Sequence, residues 1–316
     1  MWERADRRLP GSVSTMSPST APFGRVLTAM VTPFTADRAL DLDGAQALAS
    51  HLVDAGNDGL VISGTTGESA TTSDAEKDAL LRAVVAAVGD RCSVVAGVGT
   101  NDTAQSVERA RAATAAGATG LLAVTPYYNR PPQAGVIAHL TAIADASDLP
   151  VMLYDIPART GLALETETIV RLADHPRIVA VKDSKFDLEG TSWVLRRTDL
   201  AVYSGDDRWT LPLLALGAVG VVGTSTHLAA GPTRAMVEAF VAGDVLRARE
   251  LHESLLPVYT GIFRVPGTIS VKAALAEVGL PGGPVRLPLV DATPEQVAAL
   301  VADFVEAGIP LRRGAA

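Results

Sequence analysis

The stretch "RIVAVKDSK" (residues 177–185) decides how the rest of the chain is read. Ile178, Val179, Ala180 and Val181 form the continuous apolar run of a strand buried on both faces, as in a parallel sheet. The run ends on Lys182, and a lysine ammonium is costly to bury. Either Lys182 leaves the sheet for solvent, or its burial serves chemistry. The neighbouring segments have to discriminate.

Seven more short apolar runs flank this one, at 26–30, 59–62, 93–97, 120–124, 150–154, 200–203 and 219–222. Helical patterns lie between them, at 43–55, 73–88, 103–116, 135–146, 165–173 and 209–216. Ser73 with Glu76 three residues on forms a capping-box pattern, and Gly56, Gly89 and Gly117 stand where helices should stop. Eight strands alternating with helices predict an α/β fold, a (β/α)8 TIM barrel. An open doubly wound sheet is the alternative, but no G-x-G-x-x-G follows the first strand and no Walker A lysine occurs. From about residue 231 the pattern is helical throughout (233–241, 245–256, 270–278, 294–306), which predicts an appended C-terminal helical subdomain. The expected division is a disordered tail over 1–24, the barrel over 25–242 and the helical subdomain over 243–316, fraying from 312; Met16 offers a second translation start.

Composition narrows the function. Of 316 residues, 48% are hydrophobic, enough for a large core, and the formal charge of −8 argues against an electrostatic grip on nucleic acid or an anionic membrane. No uncharged apolar run reaches the roughly 18 residues of a membrane span. Cys92, the single cysteine, excludes an intrachain disulfide and suits a reducing cytoplasm. The histidines at 51, 139, 175, 227 and 252 show no H-x-x-H or H-E-x-x-H grouping, and Gly205-Asp206-Asp207 reads as a helix N-cap, so no metal is predicted.

In such a barrel, chemistry sits at the C-terminal strand ends and the loops after them. These are "SGTTGES" (63–69), "TPYYNRPP" (125–132), "YDIPARTG" (154–161), Lys182 and "SGDD" (204–207). If Lys182 faces the interior, desolvation disfavours its charged form and makes an amine nucleophile available for a Schiff base with a carbonyl substrate. Lys185, further into the loop, is expected to be solvated. Tyr154 at the preceding strand end either shuttles protons or merely packs. Arg159 suits a bidentate carboxylate, although an exposed structural arginine reads the same. The Gly-flanked threonines of "GTTGE" allow close approach of an anionic carboxylate, and of Tyr127 and Tyr128 one is expected to serve the site and one the packing.

These five loops, in this order, resemble the dihydrodipicolinate synthase family of the pyruvate-dependent class I aldolase superfamily, which also holds N-acetylneuraminate lyase. The resemblance spans residues 26–275. It implies that Lys182 forms the imine with pyruvate, and that Thr65, Tyr154 and Tyr128 form a proton relay in which Tyr128 reaches a neighbouring subunit. Thr66 would help bind the pyruvate carboxylate and Arg159 the carboxylate of aspartate 4-semialdehyde, while Gly205 and Val222 line the site. The implied setting is a cytoplasmic homotetramer, a dimer of dimers, of the diaminopimelate and lysine pathway, with no cofactor because the lysine is the electron sink. A cleft where lysine inhibits some members falls on Ser69, Ala70, Asp74, Lys77, Asn101, Gln105 and Tyr127. There Asp74 and Lys77 replace histidines and Gln105 replaces a carboxylate, so weak or absent lysine inhibition is expected. Other departures are Asp155 where Asn is frequent, "GVVGTSTH" after the eighth strand, both expected near the pocket, and "RVPGTISVKAAL" before Lys272. The rival readings are an aldolase for a sialic or 2-keto-3-deoxy sugar acid, and an inactive barrel acting as ligand sensor or scaffold.

Overall fold

The computed structural model describes residues 21–309 and Leu311. Eight parallel strands close into a barrel in sequence order: β1 (Val26–Ala29), β2 (Gly59–Ile62), β3 (Ser93–Gly97), β4 (Gly120–Val124), β5 (Val151–Asp155), β6 (Ile178–Asp183), β7 (Ala201–Ser204) and β8 (Gly220–Gly223). The helices are α1 (Leu42–Asp54), α2 (Asp74–Val88), α3 (Thr103–Ala115), α4 (Gln133–Asp145), α5 (Pro157–Thr160), α6 (Thr166–Leu172), α7 (Leu188–Arg197), α8 (Thr210–Leu216), α9 (Thr226–Val241), α10 (Val245–Gly261), α11 (Gly267–Val278) and α12 (Pro294–Glu306). Each strand lies within a residue or two of its predicted place. The capping box forms as read, with Ser73 accepting from the Glu76 N–H and Glu76 reaching back to the Ser73 N–H.

Period-two alternation sorts side chains between the barrel interior and the helix layer. Leu27, Val61, Val95, Leu122, Met152, Ala180, Ala201 and Val222 meet inside, and the larger core lies between strands and helices. The N-terminal mouth is plugged. Phe23 is buried there, and the Tyr203 hydroxyl donates to the Gly24 carbonyl at 2.9 Å while accepting from the Phe23 N–H. The lead-in expected over 1–24 therefore ends in a packed segment over 21–24, while its residues 1–20, like the expected frayed 312–316, lie outside those described.

Three segments differ from the sequence reading. Helix α7 was not singled out, because "LEGTSWVLRR" mixes weak helix formers with large apolar residues; its signal is Asp187, which caps the Gly190 N–H. Helix α9 starts seven residues before the expected 233, since the chain turns helical ahead of Pro232 and kinks at Ala229. Residues 157–160, read as loop, form the single turn α5, with Pro157 at its start.

Candidate active site

At the C-terminal mouth, Tyr154 on β5 pairs in register with Lys182 on β6. Both side chains are buried, and Lys182 Nζ stands 4.4 Å from the Tyr154 ring centroid. Solvent exposure of Lys182 is thereby excluded. A buried primary amine against a phenol, without a carboxylate salt bridge among the described residues, is suited to attack a carbonyl rather than to hold the fold together.

A cavity of about 330 Å³ opens beside this pair. Tyr154 forms part of its wall, with Thr65 and Ser69 from the loop after β2, Tyr127 after β4 and Arg159 on α5. Pro288 and Leu289, from the segment before α12, cover one side. Gly205 donates its N–H to the Asp183 carbonyl at 2.8 Å, drawing β7 against the end of β6. A Cβ at Gly205 would stand 2.0 Å from Ser184 Oγ and 3.0 Å from Lys182 Cγ, so only glycine lets the strand ends close this tightly. Val222 is buried in the interior below.

The loop after β2 is held carbonyl by carbonyl. Thr65 O accepts from the Glu68 N–H, Thr66 O from the Thr268 hydroxyl, and Gly67 O from the Thr32 hydroxyl. The N–H groups of Thr65 and Thr66 have no acceptor among the described residues, and paired free donors of this kind suit a carboxylate. Ser63, Glu68 and Tyr128 all have positive φ, at 58°, 54° and 72°. Such conformations in non-glycine residues mark both loops as places where the backbone is held for a purpose.

The other expected residues fall in different places. Tyr127 lines the cavity, whereas Tyr128 is 90% exposed and is not part of its wall. Ser69 and Ala70 border the same cavity, but Asp74 and Lys77 line a separate one of about 260 Å³ between α2 and α3. Asp74 is held by Gln105 at 3.1 Å and by Arg109, and although burial opposes it, those bonds keep its carboxyl below the usual range. Lys77 donates to the Thr72 carbonyl, and burial lowers its ammonium to about 8, with Arg109 adding to the effect. Asn101 accepts from Asn129 through its carbonyl.

Several expectations are corrected. Lys185 is not solvated: its side chain is 11% exposed, donating to the Leu164 carbonyl and standing 3.6 Å from Asp155. Asp155 does not face the pocket. It points to the helix layer, where burial raises its carboxyl to about 6 against the opposing pull of Lys185. The residues after β8 are struts: His227 donates from Nδ1 to the Thr224 carbonyl, accepts the Val31 N–H at Nε2, and is held neutral by burial, its value lowered to about 4. Asp206 caps the turn Asp207–Trp209 as predicted, while Asp207 is fully buried and accepts from the Thr224 and Ser225 N–H groups. Burial raises its carboxyl. Sequence reasoning missed Glu68 as a partner of Lys272; the final Glu of "GTTGE" was its only signal.

A family model described as the dihydrodipicolinate synthetase family matches residues 22–307. The chain belongs to that family. It is 68% identical over 294 residues to a 4-hydroxy-tetrahydrodipicolinate synthase of Acidothermus cellulolyticus, covering 93% of this chain and 96% of that protein. A second relative, 4-hydroxy-tetrahydrodipicolinate synthase 2 of Streptomyces coelicolor, is 64% identical over 297 residues, 94% of this chain and 99% of that one. Among solved structures, the family enzyme from Cyanidioschyzon merolae with lysine bound superposes with a TM-score of 0.89 at 43% identity, covering 91% of this chain and 99% of that chain.

Proposed function

We propose that the chain is a 4-hydroxy-tetrahydrodipicolinate synthase that condenses pyruvate with L-aspartate 4-semialdehyde through an imine on Lys182. The observation that carries this reading is the buried Lys182 amine set against Tyr154 beside a cavity that also presents Thr65 and Arg159. The Lys182 amine attacks the pyruvate ketone and releases water, forming the imine. Loss of a methyl proton gives the enamine, whose carbon attacks the aldehyde carbon, and the resulting alkoxide takes up a proton. The amine of the condensed semialdehyde then attacks the imine carbon, closing the ring and releasing Lys182. Tyr154 and Thr65 carry these protons, and the free N–H groups of the Thr65-Thr66 segment take the pyruvate carboxylate.

Arg159 supplies the guanidinium for the second carboxylate, which a polyol substrate would not need; this favours the semialdehyde over a sugar acid. Tyr128 completes the relay of a partner subunit, a reading supported by its exposure and its held backbone. The assembly is a homotetramer built from such dimers, acting in the cytoplasm. No helix among the described residues is long and apolar enough to cross a membrane. The test is the initial rate of pyruvate consumption with each aldehyde. Acceleration by aspartate 4-semialdehyde and not by N-acetylmannosamine is expected; the opposite preference would move the chain to the sugar-acid aldolases.

A further inference from the structure

One turn of α11 reaches from the C-terminal helices into the loop that carries Thr65 and Thr66. Thr268 and Lys272, four residues apart, lie on the same face of that helix. The Thr268 hydroxyl donates to Thr66 O at 3.2 Å, and Lys272 Nζ stands 2.7 Å from Glu68 Oε1. Both charged side chains are almost wholly buried, at 3% and 1% exposure. The pair is also held from outside. Lys272 donates to Pro284 O at 2.8 Å and lies 4.2 Å over the Phe34 ring, while the other Glu68 oxygen accepts the Arg286 N–H at 2.8 Å. Arg286 in turn binds Glu76 at the start of α2.

A buried ion pair is weak evidence for stability, since apolar residues of similar volume often serve as well. Its placement here has another consequence. Glu68 adopts a left-handed backbone (φ 54°, ψ 39°), and its carbonyl accepts from the Thr71 N–H, so the side chain and the backbone together fix how the preceding residues turn. Those residues include Thr65 and Thr66, whose N–H groups have no acceptor among the described residues.

We infer that Lys272 and Thr268 are positioning residues: from α11 they clamp Thr66 and Glu68 so that the loop presents its donors to the pyruvate carboxylate. This rests on the functional reading above. It makes the C-terminal helices part of the substrate site without any of their side chains touching pyruvate.

The test is the pyruvate concentration giving half-maximal borohydride trapping, with thermal unfolding measured alongside. Lys272→Met leaves Glu68 charged and unpaired, and raises that concentration at least about tenfold. Thr268→Val removes one hydrogen bond and raises it about threefold. The double variant Glu68→Gln/Lys272→Met buries no unpaired charge but still lacks the clamp, and keeps that concentration at least about threefold above the native value. A merely structural pair would lower the melting temperature and leave half-saturation alone. Native half-saturation in folded Lys272→Met and Thr268→Val overturns the clamp while leaving the function intact. If Lys272→Met does not fold, Thr268→Val and the double variant decide in the same way. Absence of any trapping in the native protein overturns the functional reading and the clamp with it.

Discussion

Asp155→Asn should stabilise the protein at neutral pH, by an amount that depends on pH in a defined direction. The carboxyl is buried beside Asp183, with Lys185 3.6 Å away, and burial raises it from 3.8 to about 6. At about 1.4 kcal/mol per tenfold, that difference corresponds to roughly 3 kcal/mol. The folded state holds the proton more tightly than the unfolded state does. This contribution is therefore fully present below pH ~4 and lost as the pH rises through about 6. Above that point the native protein carries a buried charge that Lys185 only partly offsets, whereas the amide carries none. Urea midpoints at intervals from pH 4.5 to 8 measure the effect. The advantage of Asp155→Asn over the native protein is expected to grow by roughly 2 to 3 kcal/mol across that range. Turnover should change little, because the carboxylate faces the helix layer. A difference that stays flat with pH, or that moves in favour of the native protein as pH rises, would refute the assignment of burial as the dominant cause.

Arg159→Ala should raise KM for the semialdehyde by about tenfold or more, the loss of a charge-assisted pair, and leave KM for pyruvate within about twofold; equal effects on both would remove Arg159 from the second-substrate site. Gly205→Ala places a methyl group 2.0 Å from Ser184 Oγ and 3.0 Å from the Asp183 carbonyl, so kcat should fall at least about tenfold, with a stability loss of about 1–3 kcal/mol by thermal unfolding. Native kcat in that variant would show that the β7 end does not position Lys182. Free lysine should inhibit weakly, because Gln105 and Arg109 occupy Asp74 and the Lys77 ammonium is turned to the Thr72 carbonyl. Half-inhibition below about 0.1 mM, in initial rates against lysine concentration, would contradict this.

The barrel was legible because its strands are short apolar runs with alternating helical segments, and period alone assigns them. Lys182 and Tyr154 were legible for a related reason: each ends such a run, and pairing of β5 with β6 brings them together. Helix α7 was not, since its apolar residues are partly exposed and its propensity is poor. Sequence also misplaced Asp155 and Lys185. Asp155 looks like a loop residue near the pocket and Lys185 like a solvated one, but alternation beyond Tyr154 sends Asp155 outward, and Lys185 packs against it. The Glu68–Lys272 pair joins positions some two hundred residues apart, and no local pattern reports such a contact.

The central claim is that Lys182 forms an imine with pyruvate. The most direct measurement is to mix the native protein with pyruvate, reduce with borohydride, digest, and weigh the peptides. A single carboxyethyl group on Lys182, absent when pyruvate is omitted, is the expected result. An unmodified Lys182, or the same group on Lys185 or Lys272 instead, would contradict it.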